Sequence, residues 1–361
     1  MMKKKIIHFI FNLGRGGAET MIVRLIKELP EYEHVVVTLF SLNHFGKELT
    51  CDKLICLNLN SLLSLPLAVI KFRRLINEQK PDIVHTHLFW PTVIARTCVP
   101  QRIPLITTIH AFIANSVEYK HWHIRFLDKL TYRLRKTIII VVAKGALHEY
   151  FSFLRIRPFK AYALYTFVDT DRFNSDKIKP ADSSPVFRVV SVGALRKQKN
   201  HSYLIKAFAA LKDHAIELHI YGTGNLEQPL KEEIQKTGAK VVLKGEVRNI
   251  ELILSQYDLY IMASSFEGFS LSVLEAMAMG MPLLLSDINS FEEQCGESAF
   301  YFSLNDPVDI NNKLLEISRM SKPELKLVGE AGRQKAISNY TLTHHIEGLR
   351  KIYTAALLSN N

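Results

Sequence analysis

Glu267 and Glu275 lie eight positions apart in the stretch SFEGFSLSVLEAMAMG, residues 265–280. A carboxylate is an acceptor with two oxygens, which suits the two hydroxyls of a vicinal diol. The apolar runs YDLYIMAS before and MPLLLSD after the stretch predict strand, turn, helix and strand, with the helix starting near Ser270. Glu267 and Gly268 then fall in the turn. The free N–H groups and positive dipole end of the helix suit a phosphate, and Gly268 admits close approach to the backbone. Glu275 sits a little over one turn inside, on a face with Leu271 and Ala278. Diol acceptor, phosphate cradle, diol acceptor is the order that a nucleotide sugar needs. Two plainer readings stay open on these residues alone. Ser272-Val273-Leu274-Glu275 fits a capping box, and Glu267 fits a solvated loop acid.

Cationic and small residues form a second group. In VGALRKQKNH, Arg196 and Lys199 follow a strand and can neutralise a diphosphate; with Lys197 they also fit a basic surface loop. GRGGAE, residues 14–19, places Gly14, Gly16 and Gly17 at a helix entrance, where backbone can approach a ligand. His110 ends the run PLITTIH at a carboxyl edge, where sites form in open α/β sheets. A satisfied structural histidine is the alternative there, and His85 and His87 in DIVHTHL rank below it. YGTGN, residues 221–225, is a lone G-x-G and weak by itself.

The elements that must position these residues follow a βαβ rhythm. KIIHFIF, HVVVTLF, DIVHTH, PLITTIH, TIIIVVA and KAYALY read as strands, with helices near 17–29 and 61–79. The Asp-, Ser- and Pro-rich stretch 166–185 reads as a linker. A second series follows: FRVVSVG, IELHIYG, KVVLKG, DLYIMAS and PLLLSD, with helices near 200–212 and 225–237 and a helical tail from about 306. The expected fold is α/β, with two Rossmann-like domains and a ligand cleft between them. The expected boundaries are 1–170 for an acceptor domain, 186–340 for a nucleotide-sugar domain, and 341–361 for a helix crossing back to the first domain.

A length of 361 residues accommodates two such domains. Cys51, Cys56, Cys98 and Cys295 match neither a zinc pattern nor a disulfide framework, so reduced thiols in a cytoplasmic protein are expected. The N-terminal apolar run IIHFIF is interrupted by His8 and reads as a strand rather than a signal peptide. No stretch reaches the ~18 apolar residues of a transmembrane helix.

The net charge of +11 is unevenly placed. Residues 1–170 carry 24 Lys and Arg against 12 Asp and Glu, whereas residues 171–361 carry 22 against 23. An anionic surface is therefore expected to meet the first half. HWHIRFLDKLTYRLRKT, residues 121–137, interleaves Trp122, Phe126, Leu130 and Leu134 with Arg125, Lys129, Arg133, Arg135 and Lys136, and FSFLRIRPFK adds more. Such a helix can lie in a membrane interface or can turn its apolar face to the core. No nucleic-acid motif occurs, so no nucleic-acid partner is expected.

EGFSLSVLEAMAMGMP resembles the signature of glycosyltransferase family 4, the retaining GT-B enzymes: Glu, seven residues, Glu, with LEAMA-G-P closing it. The likeness extends from GRGGAE to the final helices and is strongest over 187–303. It implies that Glu267 faces the donor sugar, that Phe269, Ser270 and Leu271 line the donor, and that Glu275 meets the ribose. It places Gly16 and Gly17 in the family's glycine loop, and His110 at its cleft histidine. Lys199 matches the family lysine directly. Ala194 stands where the family arginine is usual, so Arg196 is expected to substitute for it. The resemblance further implies transfer from a UDP- or GDP-linked sugar to a glycan or lipid-linked acceptor, in surface polysaccharide synthesis, at the inner membrane face. No cofactor and no metal are expected. The Asp-Thr-Asp run at 169–171 looks like the metal motif of the other glycosyltransferase fold but falls in the linker. A GT-B epimerase or phosphorylase, or a non-catalytic nucleotide-sugar binder, is the alternative reading.

Overall fold

The computed structural model describes residues 3–14, 16–110, 113, 118–177 and 184–358. Arg15 of the glycine loop and residues 178–183 of the expected linker lie outside the described residues. The chain divides into two compact units, Met1–Tyr165 with Thr343–Asn361, and Thr166–Leu342.

Among the described residues, the first unit has a parallel sheet of β1 (Lys4–Ile10), β2 (Tyr32–Thr38), β3 (Lys53–Cys56), β4 (Ile83–His87), β5 (Leu105–Ile109), β6 (Ile138–Val141) and β7 (Lys160–Ala163). Their order is β3-β2-β1-β4-β5-β6-β7. The second unit has β8 (Phe187–Val192), β9 (Ile216–Tyr221), β10 (Val241–Gly245), β11 (Leu259–Met262), β12 (Leu283–Ser286) and β13 (Phe300–Phe302), in the order β10-β9-β8-β11-β12-β13. Both orders reverse direction beside the first strand of the unit, so each sheet has a switch point, β1/β4 in one and β8/β11 in the other. The central strands β4, β6, β11 and β12 are buried along their whole length. Helices cover both faces of such a sheet, which is why these strands read as unbroken apolar runs rather than alternating ones.

Two strands went unread in the sequence. β3 and β13 span four and three residues at sheet edges; β3 has two exposed and two half-buried residues, and β13 has two half-buried residues and the buried Phe302. A strand that short carries no readable period.

In the second unit, Val189, Leu218, Ile220, Leu259 and Ile261 pack against Leu204, Ile205 and Phe208 of the helix His201–Ala210. In the first, Phe9 stacks on Phe72 at 4.1 Å between ring centroids. A polar core lies beside it. Arg96 of the helix Phe89–Cys98 pairs with Asp128 of the helix Trp122–Leu134, both fully enclosed. Tyr119 donates to the same carboxylate, as does Tyr150 at 3.0 Å. Because Asp128 must stay with its partners, it fixes which face of its helix points inward. Removing one partner of such a pair costs about 3–5 kcal/mol, so rotating the helix is not an option.

The last helix, Leu342–Leu358, buries Ile346, Leu349, Ile352 and Tyr353 in the first unit. Tyr353 Oη meets His85 Nδ1 at 2.8 Å. No helix among the described residues is long and apolar enough to cross a membrane. All four cysteines are free.

Candidate functional site

The second unit gathers its functional side chains at the carboxyl ends of β8 and β11. Beyond β8 the chain runs through Gly193 to Lys199. The Gly193 and Leu195 N–H groups donate to Tyr221 and Thr223 carbonyls at 2.9 Å. A Cβ on Gly222 would stand 2.0 Å from the Gly193 carbonyl oxygen, at a φ of +141°. A Cβ on Gly224 would stand 2.5 Å from the Leu195 oxygen. The glycines of YGTGN are therefore packing surfaces for the loop that carries Lys199.

The loop beyond β11 is stitched to this one. Ser265 N donates to Gln198 O at 2.9 Å, and Gln198 Nε2 donates to Phe266 O at 2.9 Å. Lys199 Nζ donates to Glu267 Oε1 at 2.7 Å, and Ser264 Oγ donates to the same oxygen at 2.7 Å. Ser286 Oγ in turn donates to the Ser264 carbonyl at 2.7 Å. Glu267 is 8% exposed, which excludes a solvated loop acid. Its other oxygen has no protein donor among the described residues.

The helix of the signature spans Leu271–Ala278, with Ser270 at its N-cap and no side-chain cap. Its first N–H groups have no intrahelical acceptor and stay available to an anion. Gln294 holds the entrance: its Oε1 accepts from Ser270 N at 3.1 Å, and its Nε2 donates to Ser270 O at 2.9 Å. Phe269 is buried edge-on against Tyr340, 5.0 Å between centroids. Phe269 and Ser270 thus offer backbone rather than side chain.

Glu275 is the fifth residue of this helix, so Ser272 is not its N-cap and the capping box is excluded. Its carboxylate has no hydrogen bond or ion pair among the described residues. Burial pushes its pKa up to about 7, Arg172 pulls the other way, and Glu251 adds to the rise. Part of the residue remains accessible to solvent, yet the enclosure of the carboxyl dominates. Arg172 is itself engaged by Glu251 at 2.8 Å and by the Arg248 carbonyl at 2.7 Å. Arg196 is exposed and precedes the turn Lys197–Lys199. Its side chain is not drawn to Lys199 or Glu267.

In the first unit, Gly16 is the N-cap and Gly17 the first residue of the helix Gly17–Glu28, again without a side-chain cap. His110 Nε2 meets His87 Nδ1 at 3.2 Å. Burial, with His345 nearby, holds the His110 pKa down at about 3, so the ring is neutral at pH 7. A cavity of about 440 Å³ opens beside His110, walled by Phe11, Phe89, Trp90, Ile113 and Tyr119.

The basic helix turns its apolar stripe outward. Trp122, Phe126, Leu130 and Leu134 are 71%, 57%, 40% and 66% exposed, while Ile124, Asp128, Thr131 and Tyr132 face the core. Arg125, Lys129, Arg133 and Lys136 flank the stripe. Arg135 is a correction to the sequence reading. It is buried, bonded to Gln101 and to the Pro100 and Ile103 carbonyls, and does not belong to the basic surface. Arg133, Lys136, Arg155 and Arg157 instead line one recess with the exposed Phe159.

Sequence reasoning missed Ser264, Gln294 and Arg172. Ser264 stands three residues before Glu267, a spacing that a turn brings together. Gln294 and Arg172 reach the site through tertiary packing that local pattern does not encode.

Comparison with known proteins agrees with this geometry. The family Glycosyltransferase Family 4 matches residues 15–172, and Glycosyl transferases group 1 matches residues 173–335. A Campylobacter jejuni N-acetylgalactosamine-N,N'-diacetylbacillosaminyl-diphospho-undecaprenol 4-alpha-N-acetylgalactosaminyltransferase is 28% identical over 296 residues, 78% of this chain and 80% of that protein. An Escherichia coli UDP-Gal:alpha-D-GlcNAc-diphosphoundecaprenol alpha-1,3-galactosyltransferase is 25% identical over 83% of this chain and 81% of its own length. Among solved structures, a glycosyltransferase from Rickettsia africae superposes with a TM-score of 0.80 at 18% identity, covering 99% of each chain. HepE of Anabaena, in complex with UDP and glucose, superposes with a TM-score of 0.81 at 15% identity over 97% of this chain and 99% of its own. With two consecutive matches that together cover residues 15–335, and the paired glutamates at the carboxyl edge of the second sheet, the chain belongs to glycosyltransferase family 4 and has the GT-B fold.

Proposed function

We propose that this protein transfers a sugar from a UDP-linked donor to a diphospholipid-linked saccharide, with retention of anomeric configuration and without a metal ion, in the building of a bacterial surface polysaccharide. The observation that carries this reading is the grouping of the Lys199–Glu267 pair, an uncapped helix start and the unpartnered Glu275 at one switch point. The names of the two bacterial relatives supply the donor and acceptor classes.

In this reading Glu275 accepts from the ribose diol, and the N–H groups after Ser270 receive the diphosphate. Lys199 balances the charge that grows on the leaving diphosphate, an interaction stronger in the transition state than in the ground state. Arg196 closes over the phosphates as a mobile cation. Glu267 holds Lys199 with one oxygen and offers the other to the transferred sugar. Gly16 and Gly17, at an uncapped helix start, offer backbone donors to an anionic group. His110, being neutral, acts as a hydrogen-bond partner to sugar hydroxyls rather than as a charged acid. Incubation with UDP-sugars and a diphospholipid-linked acceptor yields a product whose anomeric configuration, read by NMR, matches the donor, and EDTA leaves the rate unchanged. An inverted product, or activity lost to EDTA and restored by Mn²⁺, overturns the mechanism. A donor that is bound and never consumed favours the non-catalytic reading.

The outward stripe of the helix Trp122–Leu134 fits a membrane containing anionic lipid, as a peripheral contact at the cytoplasmic face. Its apolar residues can enter the interface while Arg125, Lys129, Arg133 and Lys136 meet headgroups, each basic residue contributing about 1 kcal/mol near such a surface. Sedimentation with phosphatidylglycerol vesicles pellets the protein and salt releases it. Replacing Trp122, Phe126 and Leu130 together by Ser abolishes pelleting and leaves the circular dichroism spectrum unchanged. Retention of vesicle binding by that variant removes the membrane contact from the proposal.

A further inference from the structure

A row of histidines crosses one face of the first sheet. His8 on β1 is the register partner of His85 on β4, and His87 follows on the same face. All three are 1% exposed or less. Their protons can be assigned from the hydrogen bonds. The Leu29 carbonyl only accepts, so His34 Nε2, 2.8 Å away, donates to it. With its proton on Nε2, the neutral tautomer of His34 presents a lone pair at Nδ1. His8 Nε2 therefore donates to that lone pair at 3.1 Å. With its proton on Nε2, the His8 ring presents a bare Nδ1, which no donor among the described residues reaches. His87 Nε2 has no partner among the described residues either. Two unsatisfied nitrogens in one buried place are expensive to leave unmatched. One ring nitrogen from each of His8, His85 and His87 lies within 4.8 Å of the other two.

We propose that His8, His85 and His87 form a buried site for one borderline divalent transition-metal ion, Zn²⁺ being the best match. Neutral imidazole nitrogens are what such an ion takes, whereas Mg²⁺ and Mn²⁺ favour oxygen ligands. A tetrahedral Zn²⁺ holds its nitrogens about 3.4 Å apart, given Zn–N distances of about 2.0–2.1 Å. The three rings therefore draw inward on binding. The outer contacts that orient metal-bound histidines are already in place. His8 donates its other nitrogen to His34, and His87 uses its other nitrogen on His110. His85 keeps one of its two hydroxyl partners, Tyr353 or Thr108. The ion ties β1 to β4 and serves the stability of the first unit, apart from the sugar transfer.

The test uses full-length protein produced without a polyhistidine tag. Mass spectrometry of the purified protein finds about one zinc per chain, and refolding from denaturant with Co²⁺ gives the visible bands of a nitrogen-ligated ion. Zn²⁺ raises the Tm of metal-stripped protein, as any ligand of the native state does. His87→Leu and His8→Leu each lose the bands and the Tm response, while His148→Ala, at an exposed position, keeps both. Wild-type protein that carries no zinc and shows no Co²⁺ bands overturns the proposal, whether or not the variants fold. So does equal metal uptake by the wild type and a folded His87→Leu.

Discussion

Glu275→Gln weakens binding of the nucleotide-sugar donor about 100-fold while it raises the Tm of the ligand-free protein; the amide keeps one acceptor oxygen, and the loss of one charge-assisted hydrogen bond at roughly 1.5–3 kcal/mol accounts for the change. The gain in Tm has a separate cause. The wild-type carboxylate is enclosed and unpartnered, and its pKa of about 7 expresses how unfavourable its charge is there. An amide of the same shape carries no charge to desolvate. Stability and affinity thus move in opposite directions, the signature of a functional group rather than a structural one. Calorimetry with UDP and with UDP-sugars, together with thermal unfolding, reads both. Unchanged affinity in a well-folded Gln variant removes Glu275 from the donor site.

The pH dependence follows from the same group. If the ionised Glu275 carboxylate binds the diol as proposed, affinity is full above about pH 8 and falls up to tenfold per unit below pH 7. The Gln variant loses that slope. For folding without donor the sign is reversed. The pKa is raised above the value of 4.5 that the unfolded chain has, so the contribution to stability is fully present below pH 4.5 and is lost as the pH rises through about 7.

Lys199→Met lowers the transfer rate about 100- to 1000-fold, the usual effect of removing one preorganised stabiliser of a leaving group's charge. It also destabilises the fold. Among the described residues, Glu267 is left with the Ser264 hydroxyl as its donor at a buried position. A second substitution separates the two effects. Lys199→Met combined with Glu267→Gln removes the stranded charge and recovers the Tm, yet leaves transfer no faster than in the single variant. Recovery of the rate along with the Tm would show that Lys199 acts only by neutralising Glu267.

The architecture was legible because parallel strands covered on both faces write themselves as short apolar runs. DLYIMAS and PLLLSD announced β11 and β12, and the turn between them gave the helix start within a residue. The paired glutamates were legible as types and spacing. Their partners were not. Lys199 and Glu267 are 68 positions apart and meet because β8 and β11 are neighbours in the sheet, which strand spacing alone does not disclose. The basic helix shows a different limit. Apolar residues at every fourth position normally mark the buried face, and here a pattern-based rule picks the wrong side. The inward face is held by Asp128, whose charge is matched by Arg96 from another helix. The histidine row escaped because His8 on β1 joins His85 and His87 of β4 only through the strand order of the sheet.

The helix that ends the chain belongs to the unit that begins it. Tyr353 is fully enclosed there and supplies the hydroxyl that meets His85. During synthesis, then, the first sheet emerges from the ribosome hundreds of residues before its own covering segment exists. Its apolar face and polar histidines must wait through the translation of the whole second unit. The early half is thus the late one to mature, and a frameshift just ahead of this helix would injure the amino-terminal sheet while sparing the second unit.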